Sequence, residues 1–490
     1  MAPLTLLLIL FSSILGIILG AIPGLSGGLG VALLLPLTFS MKAEVGLAML
    51  ISIWVGGVSG AMIGSILLGI PGSPSSIATT FDGYPMTRNG QAVKALGAAI
   101  TASFMGTFFS ILIAMVASPA MARLALKMGP WEYFSLGFCA ISLVAALSRG
   151  GVFHGLAAAA LGLILASVGF APIDGYPRFT FDSMYLASGF DLIPLMLGLF
   201  ALKQIITDFA KGEQQIPSVD VSDIKGFGVS WQEYKSNAWN LCRSFFIGLW
   251  IGFLPGMGAA LSNMVAYAQA KSASKHPEKF GKGCVDGVFA SEVSNNASVG
   301  GALIPMVALG IPGDGTTAIL LGGLMIHGIQ AGPLLFSNNP EIVYALFLTA
   351  LISATLVLLV QFYGMRLFPL ILKIPYHYLY PVIVVLGFMG VFVGSATAFN
   401  FVLLLGFAAL GLVFDKFRLP VSPFILSFIL ATMLELNLRR GLTYTDDGIW
   451  PFITRPISGG LLLAALLSIV LPYAWPVLKK WRSERTARVA

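Results

Sequence analysis

Charge is what this chain of 490 residues has least of. Asp, Glu, Lys and Arg together make up 10% of it, against about 25% in a soluble globular domain. That scarcity excludes a fold that meets water on all sides. Cysteine is nearly absent as well. Cys139, Cys242 and Cys284 stand far apart, without the spacing of a metal site, a redox motif or a disulfide framework, and read as small packing residues in helices. His154 and His327 are isolated; interhelical hydrogen bonding is the plainer reading of each, with a direct role as the alternative.

Apolar residues fill the space that charge leaves. They make up 57% of the sequence. Leu4 to Ile22, Val45 to Ile70, Ile100 to Ala122 and Gly459 to Leu478 hold no charged residue at all. Each is long enough to cross roughly 30 Å of hydrocarbon as a helix, and about ten to twelve such runs are present. The chain reads as an all-α polytopic membrane protein. Its first helix reads as a retained helix rather than a secretory signal, because it lacks a basic flank and its end "GIILGAIPG" reappears internally as "GLWIGFLPG". The net charge of +7 has a local cause: Lys479, Lys480, Arg482, Arg485 and Arg488 crowd the last twelve residues against Glu484 alone. A basic tail after a final apolar helix reads as cytoplasmic, and no nucleic-acid role follows from it.

The chain repeats itself. "IPGLSGG" at Ile22 pairs with "LPGMGAA" at Leu254, an offset of 232. "LGIPG" at Leu68 recurs at Leu309, an offset of 241. "MARLALKMGP" then pairs with "MRLFPLILKIP", again in order. The expected organisation is a first transmembrane repeat over 1–205 and a polar linker over 206–237, too polar to span lipid. A second repeat over 238–440, a connector with an extra helix over 441–478 and a basic tail over 479–490 follow. The bias of Lys and Arg in matched loops is opposite in two comparisons and alike in a third. On balance this favours two homologous repeats of inverted topology.

Each copy breaks a membrane helix at Gly-Ile-Pro-Gly. Proline removes a backbone donor, the glycines sharpen the interruption, and in lipid the freed groups need protein, water or ligand partners. Matched broken or re-entrant helices in two halves point to a transporter's binding site. A half-helix starting at the break aims N–H groups and a positive dipole end at the gap. Gly72, Ser73, Ser75, Ser76 and Thr79 after the first break, and Gly313, Thr316 and Thr317 after the second, are therefore candidate solute contacts, with Asn263 beside them. Capping alone also accounts for the hydroxyls.

A second polar constellation, "ASEVSNNASVGG", lies upstream of the second break. Glu292, Ser294, Asn295 and Asn296, with Asp314 after the break, are the candidate ion-coupling residues. Intramembrane acids are functional candidates by default, and Asn offers oxygens to a cation as well as amide donors. The first copy places Trp54 and Val55 opposite the two asparagines, so the site is asymmetric. No cofactor is expected beyond a coupling ion, Na+ or H+. Na+ at Asn295 and Asn296 is one alternative for it, and no metal site is otherwise assigned. "DGYP", at Asp82 and again at Asp174, reads as a structural turn.

Three long stretches, "IPGSPSSIATTFDGYPMTRNGQAVKALG", "FLPGMGAALSNMVAYAQAKSASKHPEKFGKGCVDGVFASEVSNNASVGGALIPMVALGIPG" and "APIDGYPRFTFDS", resemble the large membrane subunit of tripartite tricarboxylate transporters, the TctA type. The resemblance covers essentially the whole chain. It implies a cation-coupled uptake permease of a bacterial inner membrane that is not an enzyme. It also implies a small four-helix membrane subunit, a periplasmic solute-binding protein, and organic carboxylate substrates, citrate and other di- and tricarboxylates among them. Two other classes compete. An intramembrane protease would use Ser26 of "GLSG", but the second copy has Gly258 in the matched stretch and no serine. A passive anion channel would share the broken helices.

Overall fold

The computed structural model describes residues 3–148, 151–211, 228–372, 376–395 and 397–470. The basic tail over 479–490, the last part of the extra helix and half of the polar linker (212–227) lie outside the described residues. What is described is helical almost throughout. The helices used below are α1 (Pro3–Ala21), α2 (Gly27–Thr38), α3 (Ala43–Leu68), α4 (Ile77–Arg88), α5 (Ala92–Ala125), α6 (Pro130–Leu147) and α7 (Val152–Ala166). After α8 (Leu192–Ala210) come α9 (Trp231–Phe253), α10 (Gly258–Ala273), α11 (Val285–Leu309), α12 (Gly315–Ile326) and α13 (Pro340–Gly364). The series closes with α14 (Tyr376–Ser395), α15 (Phe399–Lys416), α16 (Val421–Thr443) and α17 (Pro456–Val470).

Eight helices among the described residues are long and apolar enough to cross a membrane, and five apolar helices are shorter. That is fewer than the ten to twelve runs expected, because breaks divide some runs into half-length pieces such as Gly27–Thr38 and Gly315–Ile326. Apolar side chains point outward as lipid requires: Leu4, Leu7 and Phe11 project from α1, and Val116 on α5 is 78% exposed. The all-α expectation has one small exception. Gly169–Phe170 pairs antiparallel with Pro177–Arg178, closed by the second "DGYP", where Gly175 takes φ 64° and Ala171 N–H donates to the Tyr176 carbonyl at 2.9 Å.

Two compact units are present. One comprises residues 1–125 and 191–412, the other 126–190 and 413–490. In the first, α3 is buried along its length and α1 lies on it through glycines. A Cβ at Gly16 would collide with the Ile53 carbonyl, and one at Gly20 with the Gly57 carbonyl. The same approach recurs between α9 and α11, where Gly248 lies on the Ser294 carbonyl and Gly252 on the Ser298 carbonyl. Small residues that let backbones meet are how helices associate where lipid removes the hydrophobic driving force. In the second unit, α16 packs on α6 and α7. Trp131 Nε1 donates to the Gly441 carbonyl at 3.1 Å, and the Arg455 guanidinium lies 4.3 Å from the centre of the Trp131 ring. In the first unit α14 packs on the start of α8.

The first "DGYP" is not a turn. Asp82 to Pro85 lie inside α4. The turn reading needed Asp82 for its own backbone, but its carboxylate serves a distant loop instead. Oδ1 accepts the N–H groups of Gly281, Gly283 and Cys284 at 2.8, 2.9 and 2.8 Å, and Oδ2 accepts the Tyr267 hydroxyl at 2.9 Å.

Candidate functional site

Both breaks are built alike. Helices α3 and α11 end on a left-handed glycine, Gly69 with φ 70° and Gly310 with φ 71°, a conformation that costs glycine nothing. The chain then runs through Ile-Pro-Gly before a half-helix begins. The last glycine of each motif is pressed into backbone: a Cβ at Gly72 would strike the Gly20 and Ala61 carbonyls, and one at Gly313 the Gly252 carbonyl and Ala302. Gly72 and Gly313 thus position the breaks by contact with α1 and α9.

The half-helices are capped differently. At the second break Asp314 caps α12: its Oδ1 accepts the Thr317 N–H at 2.8 Å, and Thr317 Oγ1 in turn accepts the Asp314 N–H at 2.8 Å. Thr317 is buried, so this pair closes on itself. Thr316, only partly buried, lies beside Gly28 of α2. At the first break the cap comes from elsewhere. Asn263 of α10 accepts the Ala78 N–H on Oδ1 at 2.8 Å, while its amide donates to the Ser291 carbonyl at 3.2 Å and to Thr79 Oγ1 at 3.3 Å. Ser73 and Ser75 hydrogen-bond each other at 2.7 Å and stay partly open. Ser76 is buried and receives the Ser65 hydroxyl at 2.8 Å.

Thr79 joins this break to a buried polar cluster on α11. Its hydroxyl donates to Glu292 Oε1 at 2.5 Å and lies 3.1 Å from Ser291 Oγ. Ser103 of α5 donates to Glu292 Oε2 at 3.0 Å. Asn296 Oδ1 accepts the Ser59 hydroxyl at 2.8 Å and the Thr107 hydroxyl at 3.0 Å. Asn295 is held more loosely. Its amide is 3.5 Å from the Val58 carbonyl and 3.5 Å from Glu292 Oε2, and its own buried carbonyl oxygen has no hydrogen-bond partner. Gly106 lets α5 approach this closely, since a Cβ there would meet the Val293 carbonyl and lie 2.9 Å from Asn296 Cβ.

The structure therefore brings Thr79, Asn263, Glu292, Asn295 and Asn296 into one hydrogen-bonded network and leaves Asp314 and Thr317 in a separate one. Ser294 joins neither: its hydroxyl donates to the Ser262 carbonyl at 3.0 Å, linking α11 to α10. Sequence reasoning missed Ser59, Ser103, Thr107 and Ser291. The signal for two of them was there, because Ser103 and Thr107 sit four apart on one stripe of an apolar helix. Ser26, the serine of "GLSG", accepts the Leu29 N–H at 3.2 Å and caps α2.

Among the described residues no group of three or more His, Cys, Asp or Glu is placed to hold a metal ion. The arrangement instead offers hydroxyls, amides and one carboxyl. Such a set binds through hydrogen bonds and releases without breaking strong ligation.

Two relatives from Agrobacterium vitis are similar to the chain. The "Uncharacterized 52.8 kDa protein in TAR-I ttuC' 3'region" is 31% identical over 458 residues, 94% of this chain and 91% of that protein. The "Uncharacterized protein in TAR-II ttuC' 3'region" is 30% identical over 224 residues, 46% of this chain and 93% of that protein. No solved structure matches. The family model of the tripartite tricarboxylate transporter TctA family matches residues 6–426, and the chain belongs to that family.

Proposed function

We propose that this chain is the permease subunit of a binding-protein-dependent tripartite secondary transporter. It imports small organic di- and tricarboxylates across a bacterial inner membrane by cation-coupled alternating access, with its C-terminus in the cytoplasm. A periplasmic solute-binding protein delivers the solute, and a small four-helix membrane subunit completes the assembly. The observation that carries this reading is the first break: partly open Ser73 and Ser75 at the start of a half-helix, tied through Thr79 to a buried carboxyl. Half-helix N-termini hold carboxylates by N–H groups and dipole, and a coupling ion belongs next to the solute it drives.

The recurrence of helix ends and glycine approaches at offsets of 232 and 241 supports two homologous repeats, and the opposite Lys and Arg bias of two matched loop pairs favours their inverted topology. Helix α16 would then correspond to α8, the one packed against α6 and α7 and the other against α14 and, at Gly198, α15. Ser73, Ser75, Ser76, Thr79, Asn263, Thr316 and Thr317 would line the solute path, with Gly72 and Gly313 shaping it. Glu292, Asn295, Asn296 and Asp314 would serve coupling.

Reconstitution tests the whole reading. Radiolabelled citrate and a panel of other di- and tricarboxylates are offered to proteoliposomes carrying both membrane subunits, with and without the binding protein. Concentrative uptake that needs both the binding protein and a cation gradient is expected. Accumulation by this chain alone would refute the tripartite mechanism, and flux without a gradient would make it a channel.

A further inference from the structure

We propose that the coupling ion is a proton and that Glu292 carries it. The proposal rests on the transport reading above and assigns one member of its polar network a defined task. Glu292 is fully buried and, among the described residues, forms no ion pair. The residues that touch its carboxyl are Thr79 from α4, Ser103 from α5, and Asn295 and Asn296 from its own helix. Helix α3 faces the cluster with Ser59 and the Val58 carbonyl, and α10 with Asn263.

Charged groups on these helices are engaged elsewhere. Asp82 on α4 binds Tyr267 of α10 and the loop 281–284. Lys94 on α5 pairs with Glu233 of α9, and Asp286 of α11 accepts from Asn237. Arg243 of α9 donates to Asn240. Glu44, Arg88, Arg123 and Lys271 sit at the ends of α3, α4, α5 and α10. A carboxyl so placed has, among the described residues, no permanent counter-charge.

The partners of Glu292 fit both of its forms. As an anion it accepts from Thr79 and Ser103. As an acid protonated on Oε1 it donates to Thr79 Oγ1, which then donates to Ser291 Oγ, 3.1 Å away, whose hydroxyl reaches the Val288 carbonyl at 3.1 Å. Only the Thr79 hydroxyl turns over, and no donor is stranded. Asn295 adapts likewise. Its contacts are both 3.5 Å long: with the proton on Oε1 its amide goes on donating to Oε2, and with the proton on Oε2 half a turn would present its oxygen as the acceptor.

A hard cation would ask more. It wants about six oxygen ligands, yet Asn296 Oδ1 and both Glu292 oxygens already accept hydroxyls, and Asn295 Oδ1 is the one oxygen of the network without a partner. Thr79 lies in the first turn of α4, so displacement of that half-helix removes a donor that favours the anion. Proton uptake on one side and release on the other are thereby tied to the movement of the break. One proton adds to the carboxylate from water and returns to water, and no other bond is made or broken.

Infrared difference spectroscopy on the full chain in phosphatidylethanolamine–phosphatidylglycerol bilayers tests this without any solute or partner subunit. A protonated-carboxyl band is expected to appear on acidification, to be absent in Glu292→Gln, and to keep its midpoint when Na+ replaces choline. Thr79→Val and Ser103→Ala retain the carboxyl but remove a donor to the anion. Each is expected to hold the proton into more alkaline buffer by about one pH unit, tenfold in proton affinity.

A wild-type band that is missing, or that is constant at every pH, overturns the proposal. So does a midpoint unmoved in both hydroxyl variants, or one displaced by Na+, which would assign the site to the metal. Because no transport is measured, a failure here leaves the uptake experiment of the preceding section to be decided separately.

Discussion

Asn263 and Ala78, 185 positions apart in sequence, are joined by a 2.8 Å hydrogen bond from the Ala78 N–H to the Asn263 side-chain oxygen. A half-helix in the first part of the chain is thus capped by a residue from the second. Leaving a buried N–H without its acceptor costs about 1–3 kcal/mol. Asn263→Ala is expected to lower the unfolding temperature in detergent by that cost and to abolish uptake. Asn263→Asp, which keeps the acceptor but loses the amide donors to Ser291 and Thr79, is expected to fall between. An unchanged melting curve for the alanine variant would mean the cap does not hold the break.

The glycines of the breaks make a sharper contrast. A side chain at Gly72 or Gly313 would enter a neighbouring backbone carbonyl, whereas Gly406 on α15 has nothing within 4 Å of the position its Cβ would take. Gly72→Ala and Gly313→Ala are expected to prevent accumulation of folded protein. Gly406→Ala removes a helix-weakening residue and should be neutral, or stabilising by up to about 1 kcal/mol. Expression and gel filtration of the three variants side by side check this.

Asp82 gives a third expectation. Three N–H groups and one hydroxyl converge on it, so Asp82→Ala strands several buried donors at once and should release the loop 281–284. Tyr267→Phe removes one donor and should cost about 1 kcal/mol. Hydrogen exchange at Gly281, Gly283 and Cys284 reads the difference: fast in the first variant, near wild type in the second.

These contacts also show what was legible in the sequence. The breaks were, because Pro-Gly pairs and clustered polar residues stand out in an apolar run and their chemistry is local. Glu292, Asn295 and Asn296 were visible for the same reason. Asn263 as the cap of Ala78, and Ser59, Ser103 and Thr107 as partners of the asparagine and the acid, depend on which helices meet. Meeting is decided by backbone approach at Gly106, Gly248 and Gly252, and no local pattern reveals it. The first "DGYP" failed as a turn signal because a distant loop competes successfully for Asp82. The second, whose Asp174 stays at the surface, behaves as written.

Asp174 supports a pH prediction. The Arg439 guanidinium, donating to it at 3.0 Å, holds its carboxyl below the ordinary carboxylate range. A depressed carboxyl contributes stability above its unfolded value and loses it as pH falls through the folded one. Arg439→Gln should therefore lower the neutral plateau of the melting-temperature profile slightly and flatten its acid limb below about pH 4, the two profiles converging at low pH. Both residues are solvent-exposed, so added salt should shrink the difference. A profile that keeps its acid limb in the variant would assign that limb to other carboxyls.

Asn295 and Asn296 are neighbours with opposite energetics, and that separates structure from function. Asn296→Ala leaves the Ser59 and Thr107 hydroxyls without their shared acceptor. Each hydroxyl can turn back to a carbonyl of its own helix, so the expected loss is modest, about 1–2 kcal/mol. Asn295→Ala removes two contacts of 3.5 Å and an oxygen that already lacks a partner, so its melting temperature should stay close to wild type. If Asn295 serves transport as the adaptable partner of Glu292, the same variant should nonetheless lose most gradient-driven uptake. Measured together, stability and uptake should diverge at Asn295 and fall together at Asn296. Wild-type uptake by Asn295→Ala would show that its loosely held amide has no part in coupling.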